Sequence, residues 1–167
     1  MELTPIRWTK VPLLLGSVAV LAAGCLKTEE FPKEPQITFK SFSLANDSAS
    51  ITIGFTDGDG DVGLGTGDTL PPYAPGTPNY SNLRVDYEEL QNGVWTLVVF
   101  PQPLDYRVPD LTPTGQNKVL EGEIAIALKP FSLFHYDTYD TVRYSVRLLD
   151  RALNVSNTVY TGPIIVN

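Results

Sequence analysis

The chain has 167 residues, 43% of them hydrophobic, with 14 prolines, 13 glycines and a net charge of −7 at pH 7. That length and apolar content suit one loop-rich globular domain and exclude disorder of the whole chain. The acidic balance argues against nucleic acid as a partner, because phosphate binding needs the opposite sign.

The chain opens with a weakly basic stretch carrying Arg7 and Lys10, followed by an apolar run from Val11 to Ala23 that leads into Gly24-Cys25. The run is 13 residues long, short of the roughly 20 that a membrane-spanning helix needs, so residues 1–24 read as a signal peptide. Leu21-Ala22-Ala23-Gly24-Cys25 resembles the bacterial lipobox, and Cys25 is the only cysteine. The resemblance implies that Cys25 is acylated, becomes the new N-terminus and makes the membrane a partner through its lipid. Loss of residues 1–24 removes two basic residues and one acidic residue, leaving 143 residues with a net charge of −8. Lys27, Glu29 and Glu30 resemble the acidic export signal of Bacteroidota lipoproteins, which implies display at the cell surface from the outer membrane. The alternative is the periplasmic leaflet. Phe31-Pro32-Lys33-Glu34-Pro35 continues an extended tether over residues 25–35, since prolines favour extended backbone. A folded domain over 36–167 follows.

Period-two alternation then recurs without convincing helical periodicity, which predicts an all-β domain. From Gln36 to Leu44 the apolar positions Ile37 and Phe39 change phase to Phe42 and Leu44, a pattern that a bulge or a crossing between sheets explains. Ala49, Ile51, Ile53 and Phe55 alternate against Ser50, Thr52 and Gly54. They form a half-buried strand that delivers the chain to an acidic, glycine-studded loop.

That loop runs Asp57-Gly58-Asp59-Gly60-Asp61-Val62-Gly63-Leu64-Gly65-Thr66-Gly67-Asp68. Three carboxylates within five residues repel one another, and nothing cationic stands nearby in sequence. A hard divalent cation relieves them: calcium takes six to eight oxygens, and alternate residues of a tight loop converge on one point while glycines absorb unusual dihedrals. With Asp57 at position one, Asp59 and Asp61 fall at three and five, the Gly63 carbonyl at seven and Asp68 at twelve, the ligand spacing of an EF-hand loop. Val62 stands where the EF-hand has glycine, Asp68 is shorter than the usual Glu, and a strand enters the loop, so a calcium staple on a β-domain fits better than an EF-hand. The plain alternative is a solvated turn, since Asp-Gly pairs form turns without metal.

Leu70 to Asn79 holds four prolines and cannot be a central strand, so it reads as a surface excursion pinned by Tyr73 and Tyr80. Leu83, Val85 and Tyr87 alternate with charged residues before Asn92-Gly93 turns the chain into Trp95, Leu97 and Val99. The apolar pattern favours a three-residue turn, Gln91 to Gly93, which pairs Tyr87 with Leu97 and Val85 with Val99 and keeps the apolar residues on one face. Residues 101–113, rich in proline, are irregular or a short edge segment. Leu120 to Leu128 forms a strand with Ile124, Ile126 and Leu128 inward, and Thr141 to Asp150 another with Val142, Tyr144, Val146 and Leu148 inward. A last strand ends at Ile164-Ile165-Val166.

About seven strands separated by turn signals suit an Ig-like, fibronectin III-like sandwich. The closing stretch from Tyr144 through Asp150-Arg151-Ala152-Leu153-Asn154-Val155-Ser156 resembles the last hairpin of bacterial Ig-like domains, with Leu153 where those usually carry glycine. Together with the lipobox and the Asp-Gly-Asp-Gly-Asp loop, it resembles uncharacterised Bacteroidota lipoproteins. In such a sandwich the second and penultimate strands run the same way in opposite sheets, so Asp57 and Asp150 emerge at one end. Asp150 therefore joins Asp57, Asp59 and Asp61 as a candidate calcium ligand, with Asp68 and the Asn154 side chain as secondary candidates.

No hydrolytic elbow, phosphate loop or Cys/His metal cluster appears, and the only histidine, His135, sits among Leu133, Phe134 and Tyr136 as a packing residue. Glu121 and Glu123 share the polar face of a strand, where a solvated face explains them better than glycosidase chemistry. The sequence therefore points away from an enzyme and to a calcium-stabilised structural or interaction module. The alternative is a carbohydrate- or peptide-binding accessory lipoprotein with Tyr73, Tyr80 and Trp95 as platforms and a protein or glycan partner.

Overall fold

The computed structural model describes residues 31–136 and 138–166. The signal peptide, Cys25 and the export residues Lys27, Glu29 and Glu30 lie outside the described residues. The strands are β1 (Gln36–Ala45), β2 (Ser48–Asp57), β3 (Leu83–Gln91), β4 (Val94–Val98), β5 (Leu120–Leu128), β6 (Thr141–Leu148), β7 (Val159–Tyr160) and β8 (Ile164–Ile165). One sheet has the order β1-β2-β5 and the other β4-β3-β6-β7, with β8 also on β6. All pairings are antiparallel. This three-against-four order, with the last strand in two pieces, is that of a fibronectin III-like sandwich. The only helical element among the described residues is a short 3-10 turn, Phe131–Leu133.

Alternation decides which side chains meet between the sheets. β2 sends Ala49, Ile51, Ile53 and Phe55 inward, and β6 sends Val142, Tyr144, Val146 and Leu148; all are buried. From β3 come Leu83, Val85 and Tyr87, and from β5 Ile126 and Leu128, with Ile124 partly buried. Tyr144 is a core ring whose hydroxyl donates to the Phe134 carbonyl. The phase change in β1 is a bulge: the register slips between Phe39 and Ser41, leaving Lys40 unpaired.

The hairpin differs from the sequence expectation. Tyr87 pairs with Val98 and Gln91 with Val94, so the turn is the two-residue Asn92-Gly93, and Tyr87 meets neither Leu97 nor, through the same register, does Val85 meet Val99. Both turn residues have positive φ, 51° and 83°, the geometry that Asn-Gly favours because its twist matches the strands. Turn chemistry overrides hydrophobic pattern here because β4 is an edge strand with little to bury. Trp95, Leu97 and Val99 therefore lie on the outer, charged face. Leu97 is 57% and Val99 78% exposed. Trp95 finds a partner there in Arg143, whose guanidinium lies 4.3 Å from the Trp95 ring and 4.3 Å from that of Tyr160 while it is ion-paired to Glu88 at 2.6 Å.

The register makes two substitutions diverge. Ile53→Ala should cost about 2–5 kcal/mol through the cavity it opens, whereas Leu97→Ala should stay within about 0.5 kcal/mol as an exposed change. Urea unfolding of the two variants measures both, and a core-sized loss for Leu97→Ala would contradict this register.

Candidate metal centre

β2 carries Asp57 to the end of the sandwich, where it is fully buried. Its Oδ2 accepts the Asp61 N–H at 2.8 Å and the Val62 N–H at 3.3 Å, closing the loop onto the strand that feeds it. Gly60 makes this turn possible: it holds φ at 70° and packs so closely on the Lys118 carbonyl that no β-carbon fits. The turn brings carboxylate oxygens of Asp57, Asp59 and Asp61 within 4.8 Å of one another. The Oδ1 atoms of all three are buried and accept no hydrogen bond from the protein.

Such an arrangement is costly for anions. Burial, with the negative charges of Asp61 and Asp59 adding to it, pushes the Asp57 carboxyl up to about 6 against the Asp61 and Val62 N–H groups. Asp61 is raised as well, by burial and then by the charges of Asp150 and Asp59. Three converging, desolvated carboxylate oxygens without donors are a cradle for a hard cation, which uses oxygen ligands and supplies the missing positive charge. The Asp57, Asp59 and Asp61 cluster can hold a metal ion.

The other expected ligands are placed differently. Asp150 does arrive at this end, through a bridge between Val62 and Asp150, and is buried. Its carboxylate, however, accepts from Asn154, Oδ1 from the backbone N–H and Oδ2 from the side-chain amide, both at 2.7 Å. The Asn154 amide is thus directed to Asp150. Asp68 Oδ2 accepts from the Gly65 N–H at 2.7 Å and lies 3.6 Å from Arg151. The Gly63 carbonyl also accepts from Arg151, at 3.2 Å. Asp68 and Asp150 therefore stand outside the converging group.

Sequence reading missed Arg151, which comes from the other sheet's last turn to form a hub. Its guanidinium lies 3.0 Å from Asp110, and its backbone N–H donates to the Asp61 carbonyl at 3.1 Å. The Thr112 N–H and the Arg151 guanidinium hold the Asp110 carboxyl down to about 2. The Ala152 N–H donates to Asp61 Oδ2 at 3.1 Å. Leu153 takes a φ of 71°, the left-handed conformation that glycine adopts more readily than other residues. Arg107 ties down the loop's second half, donating to the carbonyls of Gly65 and Asp68 at 3.1 and 2.9 Å.

The three aromatic candidates do not form one platform. The Tyr73 hydroxyl donates to the Arg151 carbonyl, the Tyr80 ring lies under Arg107 at 5.1 Å, and Trp95 stands beside Leu90, at the far end of β3 from Leu83. That separation is on the order of 25 Å along the strand. His135 is a packing residue, its ring 4.6 Å from that of Phe131. Glu121 and Glu123 are exposed on the outer face of β5.

Fold and site together define a fibronectin III-like sandwich with a cation-competent acidic loop at one end. No family model, curated protein or solved structure matches the chain.

Folding raises the Asp57 pKa from 3.8 to about 6, so without a cation the folded state binds this proton more tightly than the unfolded chain does. The resulting stabilisation is complete below about pH 4 and is lost as pH rises through about 6. In chelator, Asp57→Asn should therefore gain on the wild type in melting temperature as pH goes from about 4 to 7. A difference that stays flat over that range would show that the Asp57 charge is compensated in some other way.

Proposed function

We propose that this chain is a lipid-anchored envelope protein whose sandwich serves as a calcium-stabilised structural or interaction module. The observation that carries the reading is the set of three buried, donorless Oδ1 atoms on Asp57, Asp59 and Asp61. An all-carboxylate set without sulfur or imidazole suits a hard ion. Calcium fits it better than magnesium, because three carboxylates that can each bind through one or two oxygens meet the irregular, high coordination that calcium accepts and magnesium does not. The role is non-catalytic, and the partner is the membrane, through acylated Cys25, together with whatever protein the displayed sandwich meets. The acidic residues after Cys25 favour the cell surface over the periplasmic leaflet. The dispersal of Tyr73, Tyr80 and Trp95, each engaged by an arginine side chain or backbone, weighs for the module and against a glycan platform.

Calcium that binds only the folded state stabilises it by about 2.7 kcal/mol at roughly 100 times the dissociation constant. The melting temperature should therefore rise in millimolar calcium and fall back in EGTA. Asp59→Asn should lose most of this shift, and Asp150→Asn, whose carboxylate is bound by Asn154, should keep most of it while starting from a lower baseline. A wild type indifferent to calcium would reduce the loop to a turn.

Mass spectrometry of the mature protein should find an acylated Cys25 as its first residue, and protease shaving of intact cells should remove the domain. Residues retained ahead of Cys25 would refute the anchor, and survival until the outer membrane is opened would place the domain in the periplasm.

A further inference from the structure

We infer that the cation held by Asp57, Asp59 and Asp61 also clamps the N-terminal tether onto the sandwich, so that cation binding sets how many residues separate the domain from its anchor. This inference rests on the cation reading above and adds a mechanical consequence to it.

Gly58 lies between two of the three carboxylate residues, and its N–H donates to the Pro32 carbonyl at 2.8 Å. The approach is so close that a β-carbon at Gly58 would overlap the Phe31 and Pro32 carbonyls. Gly58 does not have a left-handed φ, so what requires glycine here is space for the tether and not backbone conformation. Phe31 is half-buried and Pro35 buried, while Lys33 and Glu34 between them are exposed. Among its described residues, the tether therefore touches the domain at two points. One is Pro35, at the entrance to β1. The other is the Phe31-Pro32 backbone, and it leans on the acidic loop.

Only the second contact depends on how the loop is held. The side chains that flank Gly58, those of Asp57 and Asp59, are both negative, and each has a buried Oδ1 without a donor. A cation between them fixes both flanks, and with them the peptide that points its N–H at Pro32. Without it, repulsion acts on the same two residues, and the peptide between them is the part free to turn. Cation and tether thus prefer one loop conformation, and by linkage each strengthens the other's hold.

With the lipid on Cys25, a clamp at Phe31 leaves about six residues between anchor and domain, at most about 20 Å. Release back to Pro35 leaves about ten, or roughly 35 Å. Divalent cation would then hold the acidic end of the sandwich close to the membrane, and its withdrawal would let the domain swing out.

The test is endoproteinase Lys-C digestion of the purified mature lipoprotein in detergent, following the cut after Lys33 by mass, in calcium chloride and in EGTA, with melting temperatures measured alongside. Cleavage after Lys33 should be about tenfold slower in calcium, because the bend must detach to enter the protease. Gly58→Ala keeps all three carboxylates but fills the tether's place. It should retain the calcium-dependent rise in melting temperature and be cut equally fast in both buffers. A wild type that gains melting temperature with calcium but is cut at one rate overturns the clamp and leaves the cation reading standing. So does a Gly58→Ala protein that calcium still protects. Absence of any calcium effect on melting overturns both. A nitroxide label on Lys33→Cys, attached without altering the loop, gives a reading independent of that variant: its motion should slow with calcium, and equal mobility in both buffers overturns the clamp.

Discussion

Asp57 ends a core strand with its carboxylate already out of the solvent, one oxygen committed to the N–H groups of Asp61 and Val62 and the other to nothing in the protein. Much at this end of the domain follows from that placement. The turn that satisfies Oδ2 is the turn that carries Asp59 and Asp61 back against Oδ1. The same turn sets Val62 in register with Asp150, which joins the two sheets, and places the Asp61 carbonyl and carboxylate under the N–H groups of Arg151 and Ala152. Backbone hydrogen bonding and charge repulsion are thus built into one geometry, and relaxing the repulsion by moving the loop would break the joint between the sheets.

The strands were legible because their apolar residues alternate against polar ones and each inward line meets another. Leu120–Leu128 and the line from Val142 to Leu148 were readable to the residue. The hairpin was not, because the apolar pattern and the Asn92-Gly93 turn disagreed, and pattern fixes register only where a strand has a face to bury. At an edge the turn decides, and Arg143 gives the displaced Trp95 a partner on the outer face. At the site, the three aspartates and the arrival of Asp150 followed from spacing and topology. Arg151, Arg107 and the Phe31-Pro32 contact were invisible, since they depend on which loops meet at that end. Gly63 and Asp68, the positions that suggested an EF-hand closure, are engaged by a guanidinium from a distant turn, which their spacing does not show.

This end of the sandwich therefore contains two solutions to the same electrostatic difficulty. Asp68 and Asp110 share Arg151, a counter-charge supplied by the chain, with room for a planar guanidinium at the rim where water still screens the pair. Asp57, Asp59 and Asp61 have oxygens too close together and too far from solvent for a side chain of that size. A buried ion pair there would also have to recover the desolvation of both partners. A small hard ion can meet the need without a side chain, and would do so conditionally, because its occupancy would follow the concentration outside.

That condition reaches only part of the molecule. The aromatic cluster of Tyr87, Phe100, Tyr136 and Tyr144, with ring centroids 4.8 to 6.1 Å apart, packs on one sheet, and the Tyr87 hydroxyl donates to the buried Glu89 carboxylate at 3.2 Å. It draws on residues of β3, β6 and the segments beside them, none of which belongs to the acidic loop. Stability is thus divided along the long axis: aromatic packing fixes the middle and the end near Tyr136, and ionic neutrality governs the end where Asp57, Asp150 and the tether meet. A domain divided in this way can loosen at its Asp57 end while its fold persists, which is the physical basis on which the proposed module would respond to the ions around it.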